Sequence, residues 1–290
     1  IDGLLRMGAE IDIQHGYVEA RADKLTGASY AFPIKSVTGT ENLMMAAALA
    51  EGTTVLGNCA REPEVVDLAR LLSAMGASIR GAGSDEITIE GRPELHGAQH
   101  HVIPDRIEAG TYLVAGALIG DPLELTGIEP EHLGPVLQQL RQTGVEPVIE
   151  GDTLTVSPPE QLTSYDLRTA PYPGYPTDMQ AQYMALMTQA HGTSLVTETV
   201  FEHRFMHVGE LMRMGADIRI DGNTCVVVGP SPLTGAQVMA TDLRASACLV
   251  LAALVARGVT VIDRVYHLDR GYESMEQKLL AVGAAVERIR

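Results

Sequence analysis

The sequence predicts an α/β fold built from repeated βαβαββ units, because one short phrase recurs at a nearly constant spacing. The copies are LLRMGAEI at 4–11, LLSAMGASI at 71–79, LRQTGVEPV at 140–148, LMRMGADI at 211–218 and LLAVGAAV at 279–286. Their glycines, Gly8, Gly76, Gly144, Gly215 and Gly283, are separated by 68, 68, 71 and 68 residues. Between the copies, Ala- and Leu-rich segments alternate with short strand-like segments. We therefore expect four units and a partial fifth at the start of the chain.

Each copy of the phrase predicts the end of a helix, a glycine in the left-handed conformation and then a strand. The clearest strand pair covers 217–228, where an alternating segment meets an Asp-Gly-Asn turn. Further helices are predicted at 41–50, 108–119, 178–190 and 242–256. The segment 247–256 is apolar on all sides, which is typical of a core helix. We therefore expect helices inside and sheets outside.

A polar stretch at 97–104 that ends in Pro104 indicates a domain boundary near residue 103. Residues 104–290 would form a second domain of βαβαββ repeats. Residues 1–103 hold only about one and a half units, which is too few for a stable cluster of stacked units. We therefore interpret 1–103 as the C-terminal portion of a first domain that is incomplete in this chain.

The composition excludes several classes of partner and location. There are 21 Lys and Arg against 37 Asp and Glu, a formal net charge of −16, which disfavours nucleic acid and anionic membranes as partners. The longest apolar run, 247–256, is about half of the ~20 residues that span a bilayer. The cysteines at 59, 225 and 248 are odd in number and widely spaced, which favours reduced thiols. We therefore expect a cytoplasmic protein.

Polar and charged residues at the predicted helix starts can either cap the helix or indicate an anion bound at that end. Asp105 and Thr241 are expected to cap helices, because their side chains can accept hydrogen bonds from free backbone amides. Arg244 is unusual, since a cation in the first turn of a helix opposes the helix dipole. Either a bound anion or the neighbouring Asp242 would compensate it.

Other basic residues also lie between the units. Lys35 precedes a predicted helix, and Arg204 and Arg270 lie in connecting segments. If the ends of the units converge, these side chains and Arg244 would form a basic cluster in an otherwise acidic protein. Such a cluster suits a small substrate with several negative charges.

The sequence does not match the common metal-binding, nucleotide-binding or serine-hydrolase motifs. His203 and His207 have a spacing that can share a helix face, but the sequence offers no H-E-x-x-H arrangement and no evident third ligand. There is no Walker A motif, no G-x-G-x-x-G after a strand and no G-x-S-x-G elbow. We therefore predict no metal site.

Six segments carry a resemblance to a known family. They are REPE at 61–64, PDRIEAGT at 104–111, APYPGYPTDMQAQ at 170–182, VTETVFEHRFMHVGEL at 196–211, GAQVMATDLRAS at 235–246 and DRGYE at 269–273. Through them the chain resembles the bacterial UDP-N-acetylglucosamine 1-carboxyvinyltransferases over essentially its whole length. The resemblance implies a two-domain inside-out α/β barrel of βαβαββ units, with the substrates bound between the domains.

The same resemblance implies an activity. The family transfers the enolpyruvyl group of phosphoenolpyruvate to the 3′-hydroxyl of UDP-N-acetylglucosamine and releases phosphate, without a metal or organic cofactor. This is the first committed step of peptidoglycan synthesis. By motif match, Asp178 would act at the 3′-hydroxyl as base or orienting acceptor, although capping a helix remains an alternative role. Arg244 and Arg270 would bind the phosphoenolpyruvate anion, with Arg204 near it. The residues that would contact the UDP-sugar are Lys35, Ser36, Val37, Thr38 and Val200.

One departure from the family limits what this chain is expected to do. The family's catalytic cysteine lies upstream of the segment that matches residues 1–4, whereas Cys59, Cys225 and Cys248 fall at repeat positions that predict a strand or a core helix. We therefore expect the chain alone to be inactive and to need the upstream portion of the same protein. Two alternatives stay open: the sister enzyme that acts on shikimate 3-phosphate, and a non-catalytic UDP-sugar-binding module.

Overall fold

The structure, a computed structural model, describes residues 1–202 and 204–289. The chain forms two compact units. The first consists of Ile1–Ile103 with Pro171–Pro173, and the second of Pro104–Ala170 with Gly174–Arg290.

Helices and strands alternate along both units. The helices are α1 (Asp2–Arg6), α2 (Val37–Ala48), α3 (Pro63–Ala74), α4 (Arg106–Leu118), α5 (Gly134–Gln142), α6 (Gln180–Met187), α7 (Met206–Arg213), α8 (Leu243–Val255) and α9 (Met275–Ala281). The strands are β1 (Glu10–Gln14), β2 (Tyr17–Arg21), β3 (Ser29–Ala31), β4 (Thr53–Gly57), β5 (Ser78–Arg80), β6 (Glu86–Glu90), β7 (Leu123–Leu125), β8 (Val148–Glu150), β9 (Thr153–Val156), β10 (Leu167–Arg168), β11 (Gly192–Thr197), β12 (Asp217–Asp221), β13 (Thr224–Gly229), β14 (Gln237–Met239) and β15 (Val261–Asp263). Turns of 3-10 helix cover Pro130–Leu133, Thr177–Met179 and Val265–Arg270.

The predicted repeat is present in the sheets. One sheet has the strand order β3-β4-β6-β5 and another has β10-β11-β13-β12, with the same mixture of one parallel and two antiparallel pairs. These are two full βαβαββ blocks. The block around β7, β8 and β9 lacks the first strand, and the block that contains β14 and β15 lacks the final strand pair within the described part of the chain. The sheets are open rather than closed into a barrel over the described residues.

The second unit places its helices inside, as predicted. Helices α4, α6 and α8 pack against one another. Every residue of α6 is buried, as is the stretch 109–117 of α4. On β13, Cys225 and Val227 face the core while Val228 is exposed, so one face of the sheet covers the helices. This apolar packing is the main stabilising term of the unit.

The first unit has its own smaller core. Helices α2 and α3 pack together and against β4, β5 and β6. Met44, Leu56, Ile87 and Ile89 are fully buried there. Helix α2 begins at Val37, earlier than predicted, because the side chain of Ser36 accepts a hydrogen bond from the amide of Gly39 at 3.0 Å.

The five repeat glycines confirm the predicted helix endings. Each adopts a positive φ, between 90° and 104°, after its helix. That conformation costs a residue with a Cβ atom much more than it costs glycine. The prediction of a strand after each glycine is wrong at Gly283, since residues 284–289 form no strand.

The three cysteines are free and buried. Cys225 lies on β13 and Cys248 on α8, whereas Cys59 lies in the connection after β4 rather than in a strand or helix. Burial raises the pKa of Cys59 to about 11 and that of Cys225 to about 12, and it also raises that of Cys248. These thiols therefore keep their protons at neutral pH. No helix in the described ranges is both long and apolar enough to span a bilayer.

Candidate functional site

The centre of the candidate site is a carboxylate held between two arginines in the second unit. Asp178 lies on the 3-10 turn Thr177–Met179 that leads into α6. Its Oδ1 accepts a hydrogen bond from Nη1 of Arg204 at 2.8 Å, and its Oδ2 accepts one from Nη2 of Arg244 at 2.8 Å. The capping alternative for Asp178 is not observed, since both helical starts in this segment lack a side-chain cap.

The two arginines control the charge of Asp178. Burial by itself raises the pKa of this carboxyl, but the charges and hydrogen bonds of Arg244 and Arg204 outweigh it, so the pKa lies below its ordinary value. The pKa of Arg244 is in turn raised: desolvation opposes its charge, and the Asp178 carboxylate more than offsets this. Asp178 and Arg244 are therefore ionised together at neutral pH.

A buried polar cluster fixes Arg244 from the other side. Nη1 of Arg244 donates to the hydroxyl of Tyr272 at 3.4 Å, and the guanidinium lies 5.8 Å from the centre of the tyrosine ring. The same hydroxyl contacts Oγ1 of Thr111 at 2.8 Å and Nε2 of Gln182 at 3.3 Å. Burial raises the pKa of Tyr272 despite these donors, so the hydroxyl stays protonated.

The start of α8 explains why Arg244 occupies the first turn. Asp242 has an extended backbone and caps the helix, its carboxylate accepting from the amides of Arg244 and Ala245. The expected cap at Thr241 is therefore wrong, because that residue lies one position too early. The cap predicted at Asp105 is confirmed on α4. The guanidinium of Arg244 is neutralised by Asp178, which is 66 residues away in the chain, and not by Asp242.

The arginines keep donors available for a ligand. Nε and Nη2 of Arg204, and Nε of Arg244, make no hydrogen bond to any described residue, although the Asp178 carboxylate orients both groups. Arg270 ends the 3-10 turn two residues before Tyr272, is exposed and has no ion-pair partner in residues 1–202 and 204–289. These cations can receive an anion without breaking the contacts that orient them.

Some of the predicted sugar-binding residues line a cavity in the first unit. Ser36 and Thr38, at the start of α2, belong to the lining of a cavity of about 320 Å³. Tyr30 and Asn42 lie in the same lining. Val37 does not, because its side chain packs against the core of the unit.

Lys35 is also outside that lining. Its Nζ donates to the backbone carbonyl of Cys59 at 3.0 Å and forms an ion pair with Asp85. The lysine side chain lowers the pKa of Asp85, first through the hydrogen bond and then through its charge. Lys35 is therefore held in place, with three-quarters of its side chain covered.

Val200 follows β11 and is 39% exposed. Its amide donates to Oε1 of Glu198 at 2.7 Å. Glu198, Thr177 and Tyr272 also contribute to the arginine and carboxylate cluster, and none of them was predicted. All three lie inside the segments that carry the family resemblance, but nothing in the local pattern shows which residue each would contact.

The histidine pair considered for a metal is only half described. His203 lies outside the described residues. His207 is buried on α7, and its Nε2 lies 3.2 Å from Sδ of Met184. No group of three or more His, Cys, Asp or Glu side chains that could hold a metal occurs in the described part of the chain.

His207 should make stability depend on pH. Burial lowers its pKa to about 4, with Asp242 opposing the shift and Arg204 adding to it. An unfolded histidine has a pKa of about 6.5, so protons favour the unfolded state below that value. The neutral, buried imidazole of His207 therefore contributes fully to the free energy of unfolding above pH 6.5. This contribution is lost as the pH falls toward 4, by up to about 3 kcal/mol. The measurement is urea unfolding of wild type and His207→Leu across that range, and parallel curves for the two proteins would contradict the assignment.

Comparison with known proteins identifies the family. The family model described as EPSP synthase (3-phosphoshikimate 1-carboxyvinyltransferase) matches residues 1–279. A curated relative from Koribacter versatilis (strain Ellin345) is 56% identical over 289 residues, which are 100% of this chain and 67% of that protein. A second, from Acidobacterium capsulatum, is 58% identical over 290 residues, 100% of this chain and 66% of that protein. Both carry the name UDP-N-acetylglucosamine 1-carboxyvinyltransferase.

Solved structures agree on the fold. The enolpyruvyl transferase NikO from Streptomyces tendae matches with a TM-score of 0.91 and 32% identity, covering 99% of this chain and 71% of that one. An EPSP synthase from Acinetobacter baumannii matches with a TM-score of 0.74 and 21% identity, over 99% of this chain and 70% of that one, and shares the fold. The chain thus has the fold of an enolpyruvyl transferase, which confirms the predicted two-domain α/β type. It belongs to the EPSP synthase family of carboxyvinyltransferases. It spans about two thirds of the length of the curated relatives.

Proposed function

We propose that the protein containing this chain transfers the carboxyvinyl group of phosphoenolpyruvate to the 3′-hydroxyl of UDP-N-acetylglucosamine and releases phosphate. The observation that carries the proposal is the Asp178 carboxylate held at 2.8 Å by both Arg204 and Arg244. Addition followed by elimination requires a group that takes a proton from the sugar hydroxyl and cations that hold the anionic donor substrate. This cluster offers both within one unit. In bacteria the product would enter peptidoglycan synthesis.

Each residue has a separate role in this proposal. Asp178, whose pKa is lowered by its arginines, is ionised and accepts the proton of the 3′-hydroxyl or orients that hydroxyl. Arg244 and Arg270 bind the phosphoenolpyruvate anion, and Arg204 stabilises the same charge. Their free N–H groups support these assignments, since a phosphate or carboxylate needs several donors.

The UDP-sugar contacts come from two segments. Ser36 and Thr38 offer hydroxyl groups at the cavity at the start of α2. Lys35 and Val37, which flank Ser36, contribute through the same segment, where Lys35 supplies positive charge. Val200 offers an exposed apolar side chain, and its own backbone amide is held by a hydrogen bond to Glu198.

The relatives' names favour UDP-N-acetylglucosamine over shikimate 3-phosphate as the acceptor. The relatives at 56% and 58% identity are named for the nucleotide sugar. The structure of the shikimate-type enzyme is only 21% identical and supports the fold alone. The shikimate reaction is therefore the second candidate, and a non-catalytic UDP-sugar-binding module is the third.

The upstream portion of the same protein is part of the proposal. The hairpin β1–β2 can be compared with the hairpins β5–β6, β8–β9 and β12–β13. In those three, the second strand pairs with a strand on each side: β6 lies between β4 and β5, β9 between β7 and β8, and β13 between β11 and β12. Among the described residues β2 pairs with β1 alone, so one edge of β2 is open. Ile13, Tyr17 and Val18 on this hairpin are exposed. We infer that an upstream strand pairs with β2, and that the upstream portion also supplies the acid that protonates the methylene carbon.

A cytoplasmic location completes the proposal. The three cysteines are free thiols in buried positions, which suits a reducing compartment.

The test is an assay of phosphate release with the full-length protein and phosphoenolpyruvate. We expect release with UDP-N-acetylglucosamine as acceptor and none above background with shikimate 3-phosphate. The control is the present chain alone, which should release no phosphate. Release with shikimate 3-phosphate only would favour the sister activity. Binding of the nucleotide sugar without release by the full-length protein would favour the binding module.

A further inference from the structure

A buried glutamate lies behind the arginine and carboxylate cluster. Glu198 is 3% exposed and follows β11. Its Oε1 accepts from Oγ1 of Thr169 at 2.7 Å and from the amides of Val200 and Phe201 at 2.7 and 3.0 Å. Its Oε2 accepts from Oγ1 of Thr177 at 2.8 Å. A buried carboxylate with four donors and no ion-pair partner among the described residues is rare, because burying a charge is costly without such compensation.

The direction of the Thr177 hydroxyl follows from this arrangement. A carboxylate can only accept, so the single hydroxyl proton of Thr177 is donated to Glu198. The lone pairs of Thr177 are then free to accept from Nη1 of Arg204, which lies at 2.8 Å. The same Nη1 donates to Asp178 at 2.8 Å. Glu198 thereby orients the Thr177 hydroxyl so that its oxygen accepts the hydrogen bond from Arg204.

A second contact from Glu198 reaches the same arginine. Glu198 accepts a hydrogen bond from the backbone amide of Phe201, and this bond fixes the backbone of Phe201. The guanidinium of Arg204 lies 5.2 Å from the centre of the Phe201 ring. Arg204 is therefore held on one side by a hydroxyl and on another by an aromatic face, and both depend on Glu198.

We propose that Glu198 is a positioning residue for Asp178, acting through the Thr177 hydroxyl and the Arg204 guanidinium. It also connects Asp178 to the segment that contains Val200. The link to turnover rests on the proposed function, whereas the geometric role does not.

The first experiment measures the ionisation of Asp178 directly. Carbon-13 NMR of the aspartate carboxyls in the full-length protein follows the titration of Asp178 in wild type, Glu198→Gln, Thr177→Val and the double variant. In Glu198→Gln, the amide nitrogen would compete with Arg204 for the lone pairs of Thr177. Loss of the Glu198 charge by itself lowers the pKa of Asp178, but Arg204 would hold Asp178 less firmly and this effect outweighs it, so the pKa of Asp178 should rise. We expect a rise in both single variants and, in the double variant, a rise smaller than their sum.

The controls separate positioning from general damage. Thr177→Ser keeps the hydroxyl and should titrate like wild type. Asp67→Asn is a matched change of a buried acid to its amide, in the first unit, where Asp67 pairs with His100. It should leave the titration of Asp178 unchanged. If Glu198→Gln does not fold, Thr177→Val against Thr177→Ser still decides the point, because those changes leave Glu198 in place.

The second experiment is turnover of the full-length protein. We expect Glu198→Gln to lower kcat by roughly tenfold to 10²-fold, as a displaced catalytic group does. Absence of phosphate release by the wild type would reject the proposed function, while the titration would still decide the role of Glu198. An unchanged Asp178 titration in Glu198→Gln and Thr177→Val, or rises that add fully in the double variant, would overturn the positioning role.

Discussion

Replacement of Asp178 by Ala should lower the rate of phosphate release by about 10²–10⁴, the contribution typical of a general acid or base. The change removes the group proposed to take the hydroxyl proton. It also removes the anion that aligns two arginines, both held at 2.8 Å. Without it, Arg204 and Arg244 are left as neighbouring cations that repel each other, and no shared carboxylate fixes their orientation toward the substrate. The measurement is kcat of the full-length protein with phosphoenolpyruvate and UDP-N-acetylglucosamine.

Two further variants show which of these effects dominates. Asp178→Asn keeps the shape and one acceptor oxygen but cannot take a proton, so it should be nearly as slow as Asp178→Ala if Asp178 is the base. If Asp178 only orients the hydroxyl and the arginines, Asn should recover much of the rate. Asp152→Ala changes an exposed aspartate in the hairpin between β8 and β9 and should have wild-type rates. Wild-type release by Asp178→Ala itself would remove this residue from the mechanism.

The fold was predictable because its signals are local. A glycine after an amphipathic helix predicts a left-handed residue, and Gly8, Gly76 and Gly215 all have it. The strand expected after Gly283 is absent, because a local pattern does not tell whether a neighbouring strand is available to pair with it.

The site was only partly predictable because its contacts are long-range. The position of Arg244 in the first turn of a helix indicated an anion nearby, and this was a local signal. That the anion is the carboxylate of Asp178, or that Tyr272 contacts Thr111 across 161 residues, depends on the packing of α4, α6 and α8. Glu198 was missed for the same reason, since its four donors come from three separate segments.

The repeat also predicts where a single methyl group should destabilise the protein. Gly91 follows β6, and a Cβ atom there would overlap the backbone carbonyl oxygen of Ala50 just after α2. In the second unit, Gly229 ends β13 and has the same relation to the carbonyl of Ala190. Both glycines let the end of a strand approach the end of a buried helix. This close approach recurs at equivalent positions of the two full βαβαββ blocks.

Gly91→Ala should therefore destabilise the first unit by roughly 3 kcal/mol, because the clash is with backbone that cannot rotate away. Native-state hydrogen exchange of the β4 and β6 amides reads this unit specifically and should show faster exchange. Gly97→Ala is the matched control: it is exposed, has no atom within 4 Å of the added carbon, and should change stability by no more than about 0.5 kcal/mol. Equal exchange in the two variants would mean that the strand end can move away from Ala50. The close contact between strand and helix would then not be what requires glycine at this position of the repeat.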